Sequence, residues 1–189
     1  MRRSHSFRAF GSLAICVCLI SCATVKGQDR GPNYFPTKVG AKWIYDSDGR
    51  EESEEITKVE YKDGAFLVTV HRVDGFGRES DSKLKVSSDG VVQLAGLIGE
   101  KHPPELLVKL PHKPHQKWTT FFGKAEAFGP ERLMVAAGAF EVVRVEATIF
   151  TLKGQVITVN SWYAPKVGLV KETRGEHVRV LKSFTTGKE

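Results

Sequence analysis

A chain of 189 residues that is 41% hydrophobic and 26% charged has the composition of a folded domain and not of a disordered one. Its net charge of +6 overstates its basic character, because residues 1–22 hold Arg2, Arg3 and Arg8 and no acid, leaving 25 basic against 22 acidic residues beyond them. So mild a balance gives no reason to expect a nucleic-acid partner. All three cysteines, Cys16, Cys18 and Cys22, fall in that same segment, so the rest of the chain has neither a disulfide nor a thiolate metal site.

Met1 to Arg8 is basic and Phe10 to Ile20 is an almost unbroken apolar run, the pattern of a secretory signal. The run falls short of the roughly 20 residues that a membrane-crossing helix needs. Leu19-Ile20-Ser21-Cys22 resembles the bacterial lipobox, in which an aliphatic residue and a small one precede a lipidated cysteine. Two or more acyl chains at Cys22 would anchor the protein stably to a membrane. Ser21-Cys22-Ala23 also fits ordinary signal cleavage, which would release a soluble protein. The reading adopted is a lipoprotein-type signal peptide over residues 1–22 and a polar tether over 23–32. The expected location is exported, in the periplasm or at the outer membrane as a lipoprotein.

From residue 33 to 185 the pattern is that of a single all-β domain. Val39 to Tyr45 reads as a strand with Trp43 and Tyr45 on one face, and Asp46-Ser47-Asp48-Gly49 as a turn. Glu51 to Tyr61 reads as a charged, edge-like strand, ended by Asp63-Gly64, a strong hairpin signal. Phe66, Val68 and Val70 alternate with polar neighbours, and Arg78 to Val86 and Val91 to Leu94 follow after Gly-rich turns. Glu105 to Leu110, Lys117 to Phe122, Leu133 to Ala136, Phe140 to Phe150, Gln155 to Tyr163, Val167 to Thr173 and Val178 to Phe184 complete the series. No long run of helical periodicity interrupts it. The expected fold is a strongly curved antiparallel sheet, an open or half barrel, with a split into two packed sheets as its alternative.

Some stretches repeat. Pro36 to Trp43 matches Pro111 to Trp118 at Pro, Lys, Lys and Trp, Gly64-Ala65-Phe66 matches Gly138-Ala139-Phe140, and Asp89-Gly90-Val91-Val92 is answered by Val167-Gly168-Leu169-Val170. These matches point to two copies of a β-meander unit of about 75 residues, at about 34–95 and 105–175. The apolar phase of Phe66, Val68 and Val70 against that of Val143, Val145, Ala147 and Ile149 points the other way.

Three stretches together carry a family likeness: Tyr34 to Tyr45, Gly138 to Val145, and Trp162 to Glu172. They resemble the exported bacterial proteins called TapB-like, a group related to a domain of unknown function. The resemblance implies a half-barrel like that of the lipoprotein carriers LolA and LolB, and it implies no catalytic residues. The chain departs from the pattern at two turns, where His115 and Lys166 stand in place of the usual glycine.

Candidate chemistry is sparse. His102, His112 and His115 gather in a proline-rich loop, but two imidazoles without a carboxylate are a poor zinc set, and solvated loop histidines are the plainer reading. Glu51-Glu52-Ser53-Glu54-Glu55 lacks the glycine-turned oxygen pattern of a calcium loop and reads as a solvated edge. No phosphate-cradling loop, dinucleotide fingerprint or Gly-x-Ser-x-Gly elbow is present, so neither an enzyme nor a cofactor or metal is expected. The aromatics Trp43, Tyr45, Trp118, Trp162 and Tyr163 are candidates either for the core or for the lining of a concave ligand site. The expected function is a non-catalytic envelope protein that binds an apolar ligand, a lipid or an acyl chain on a concave sheet. Its partners would be the membrane, through Cys22, and a lipid or an envelope protein. The alternative is a structural or protein-interaction module with a filled core and no ligand.

Overall fold

The computed structural model describes residues 33–95, 103–121, 123–150 and 154–188. Cys22, the signal segment and the tether lie outside the described residues, as does His102. Twelve strands follow one another: β1 (Lys42–Ser47), β2 (Arg50–Lys62), β3 (Ala65–Val73), β4 (Glu79–Ser87), β5 (Gly90–Ala95), β6 (Glu105–Lys109), β7 (Lys117–Thr119), β8 (Gly123–Val135), β9 (Gly138–Phe150), β10 (Val156–Ala164), β11 (Gly168–Arg174) and β12 (His177–Thr185). They form one antiparallel sheet in the order β6-β5-β4-β3-β2-β1-β12-β11-β10-β9-β8-β7. Two six-strand meanders therefore meet at a central β1–β12 seam.

The expectation of a strongly curved open or half barrel is corrected by this order. The sheet is a single open layer with β6 and β7 as its two ends, neither closed nor strongly curled. The segment between those ends spends its backbone groups elsewhere. Leu110 N donates to Asp89 O and His115 N to Ala127 O, while Pro111 and Pro114 have no N–H to give. One side-chain bond, from Trp118 Nε1 to Leu106 O at 3.0 Å, links the terminal strands in place of a ladder. Registers slip at six of the ladders, each slip bending its strand locally.

The turns are made by the residues that tolerate them. Asp48-Gly49 and Asp63-Gly64 both take positive φ at both positions, the two-residue geometry that matches strand twist. His115 and Lys166, the two departures from glycine, also adopt positive φ, at 61° and 63°. The turn conformation survives the loss of glycine at a modest strain.

The core sits on the inner face of the seam. Trp43 and Tyr45 are 0% and 1% exposed, and both reach across to the turn between β10 and β11. Trp43 Nε1 donates to Val167 O at 2.7 Å, and Tyr45 Oη to Leu169 O at 3.0 Å. Phe35 stacks at 5.4 Å on Trp43, which meets Phe184 at 5.5 Å from the other side. Lys166 N donates to Asn33 O. The segment before β1 and the β10–β11 hairpin, distant in sequence, thus pack as one unit.

A second expectation fails at β2. It is no edge but an interior strand, laddered to β1 over Arg50–Glu55 and to β3 over Ser53–Lys62. Its acids are not all solvated, since Glu52 is buried at 7% exposure. Such a carboxylate needs a partner, and β3 and β12 supply arginines to it.

Candidate functional site

Those arginines begin the site. Arg179 on β12 lies 3.7 Å above the Tyr45 ring, its Nη2 donates to Glu54 Oε1 at 2.6 Å, and its Nε lies 2.9 Å from Glu52 Oε2. Arg72 Nη2 on β3 donates to the same Glu52 oxygen at 2.6 Å. Burial is the largest single influence and works against the Arg179 charge, but Glu54, the Tyr45 phenol and Glu52 together outweigh it and hold the guanidinium proton more firmly than usual. Burial also raises the Tyr45 phenol well above its ordinary range, with Glu54 adding to the effect. The result is a row of alternating charge across the inner face at the β11–β12 turn end.

Beside this row lies open space. A cavity of about 430 Å³ is bounded on one flank by Leu106 and Leu107 of β6 and on the other by Val145, Ile149, Ile157 and Val159 of β9 and β10. A second space of about 350 Å³ extends from it toward the charged row, where Arg72, Arg174 and Arg179 form part of its wall. The two share Gln93, Leu107, Tyr163, Glu172 and Arg174 and form one continuous trough, apolar at one end and charged at the other. Tyr163 stands at the junction. Burial pushes its phenol far above the ordinary range, with the Glu172 carboxylate next in effect. Ser161 Oγ donates to Glu172 Oε2 at 3.3 Å, which leaves the carboxylate facing the trough.

The five aromatic candidates divide. Trp43 and Tyr45 are packed into the seam, and Tyr163 lines the trough. Trp118 shares a strand face with Thr120 of the trough wall and spans the gap to β6. Trp162 alternates to the other face, between Ser161 and Tyr163, where its indole donates to Glu131 and Lys171 lies 5.0 Å over its ring. Of the loop histidines, the two described take separate partners: His112 Nε2 meets Gly129 O at 3.2 Å and His115 Nδ1 meets Glu126 Oε1 at 3.0 Å. Among the described residues no three metal-ligating side chains gather.

One constellation escaped the reading by motifs. Ser47 Oγ is 3.4 Å from His177 Nε2, and His177 Nδ1 bonds to Asp48, the order of a serine–histidine–aspartate set. Ser47 is buried, at only 5% exposure. Asp48 also accepts from Val178 N at 2.9 Å. The set clasps the β1–β2 turn to the β11–β12 turn. Nothing in the local sequence announces it, because the two turns are far apart in the chain.

Two solved structures share the fold. A protein described as exported, with a YmcC-like fold, from Bacteroides fragilis superposes with a TM-score of 0.59 at 16% identity, over 82% of this chain and 100% of its own. A protein described as a lipoprotein from Parabacteroides distasonis gives a TM-score of 0.61 at 17% identity, over 82% and 99%. Neither bears the name of the TapB-like group or of the lipoprotein carriers, and at these identities the likeness establishes the all-β fold alone. No family model matches the chain, and no curated protein does.

Proposed function

We propose that this is an exported, non-catalytic protein of the cell envelope, held to a membrane through Cys22, that takes up the alkyl chain of a lipid or acylated ligand in the inner trough. The observation that supports this most is the unfilled apolar end, about 430 Å³ between two flanks of one sheet. That volume falls in the range of small-molecule sites. A filled core would have closed it with side chains, since interiors pack to crystal density. The export signal and the descriptions of the two structural relatives, one exported and one a lipoprotein, agree with an envelope role.

Magnitudes decide what size of ligand can hold. A fully buried methylene contributes about 0.8 kcal/mol, so ten of them supply about 8 kcal/mol, against an association cost of roughly 4–15 kcal/mol. Short alkyl groups are therefore excluded, and a long chain is required. For a series of n-alkanols, affinity is expected to rise by up to about fourfold for each added methylene until the trough is full. Ala147→Trp, which fills the apolar wall, should abolish that rise. Equilibrium dialysis with labelled alkanols reads both. Affinity independent of chain length would remove the reading.

The interaction-module alternative draws on a different observation. Phe121, Phe150 and Val156 are all more than half exposed; Phe150 lines the rim of the apolar end and is directly opposed to Val156 across β9 and β10. A chain series with no binding would favour that use of the rim.

A further inference from the structure

We infer that the charged end of the trough is a head-group subsite for a monoanionic, single-chain amphiphile, a long-chain carboxylate, with Arg174 as its principal contact. This deepens the proposed function and rests on the apolar end accepting the chain.

The charges of the trough wall are not all neutralised. Arg72 and Arg179 are paired with Glu52 and Glu54. Arg174 is different. Its ladder neighbours are Val159 and His177, and it forms no ion pair among the described residues. It belongs to the wall of both parts of the trough, so a head group at its guanidinium would leave the chain directed along the apolar part. Arg174 is also exposed, so the head keeps part of its water and avoids the full cost of burying a charge. Nε of Arg72 is buried without a hydrogen-bond partner, whereas Nε of Arg179 already faces Glu52 Oε2 at 2.9 Å.

The sign and size of the head follow from the same wall. Guanidinium groups favour a carboxylate or phosphate held by two parallel bonds. Glu172 lies two residues from Arg174 on the same strand face and also lines the trough. Its charge penalises a dianion more than a monoanion, which selects the carboxylate over the phosphate.

The test uses the purified full-length protein and three probes: hexadecanoate, hexadecanol and acetate, measured by equilibrium dialysis at mildly alkaline pH. Hexadecanoate is expected to bind about tenfold or more tightly than hexadecanol, the scale of a charge-assisted pair, and acetate not measurably. Arg174→Gln should bring hexadecanoate to within about twofold of hexadecanol, with little change in hexadecanol itself, while Arg174→Lys, which keeps the charge but loses the fork, retains only part of the preference. Equal affinity for acid and alcohol in the native protein overturns the subsite and leaves the chain site standing. Failure of both to bind overturns both. Equal weakening of both probes by Arg174→Gln also overturns the subsite, since the charge-assisted part of the contact acts on the carboxylate and not on the neutral alcohol. Acetate binding as tightly as hexadecanoate would likewise overturn it, by making the ligand a chain-free solute.

Discussion

Arg179 is buried at the centre of a charged cluster on the seam. It is enclosed between the Tyr45 ring and two carboxylates, and its side chain is 7% exposed. Removing one member of a buried pair leaves the other charged and unmatched, which costs about 3–5 kcal/mol. Arg179→Met is therefore expected to lower stability by about that amount, read from the midpoint of urea unfolding, and adding Glu54→Gln should recover part of the loss. An unchanged midpoint would mean that water reaches Glu52. At the surface, Asp74 accepts bonds from the backbone N–H groups of Phe76 and Arg78 and from the Arg78 side chain. The Arg78 bond is the largest influence and pulls its carboxyl down to about 2. Because the folded value lies below the ordinary one, the stabilisation is complete above about pH 4 and is lost as pH falls through 2. Asp74→Asn should flatten this part of the acid unfolding curve. The glutamates of β2 show what residues conceal when read locally. Their run of acids looks solvated, yet the bases that neutralise it come from Arg72 on β3 and from Arg179 on β12, 125 positions from Glu54.

Among the elements, β5 and β6 meet more closely than any side chain would permit. Gly90 sits at φ 144°, and a Cβ placed there would lie 2.0 Å from Val108 O. Gly90→Ala is expected to open the β5–β6 ladder and to cost more than the 1–3 kcal/mol typical of overpacking, because the obstacle is backbone. Hydrogen exchange at Val91 and Val108 should rise before any other ladder is affected. The strands themselves were readable because alternation and Asp-Gly or Gly-rich turns bound most of them. β8 is the instructive exception. Only Leu133 to Ala136 looked like strand, whereas the observed strand starts at Gly123. Its first part, Lys-Ala-Glu-Ala-Phe-Gly-Pro, has no β-branched residue and holds a Gly-Pro step, and it is strand because β9 ladders it, with a register slip between Phe128 and Glu131 absorbing the interruption.

At the scale of the molecule, the three sequence matches fall at the start of β1 and β7, of β3 and β9, and of β5 and β11, so each pair is six strands apart. That the sheet stays open could not be read from the same pattern, because alternation is identical in an open layer and in a curled one. Closure depends on whether β6 and β7 can form a ladder, and the prolines between them direct the backbone elsewhere. The site was harder still. Arg174 and Tyr163 line the same space as Leu107 although β11 and β10 are far from β6 in the strand order, which no local spacing encodes. Attachment to the membrane belongs to this scale too. Cys22→Ser is expected to move the protein from the membrane to the soluble fraction of the envelope, and unchanged partitioning would remove the lipid anchor from the account.

The strand order also bears on how the chain finds its shape. Ten of the eleven ladders join strands that are consecutive in the chain, since each half is a simple meander. The β1–β12 seam alone joins residues far apart, with Lys42 opposite Thr185. Closing a loop of that length costs only about 0.6 kcal/mol more per doubling, but it must precede any contact that rewards it. Each half can therefore acquire its ladders early, while Trp43 and Tyr45 wait for the carbonyls of Val167 and Leu169. The seam would close last, and the trough would take its form only when the final residues of the chain had arrived.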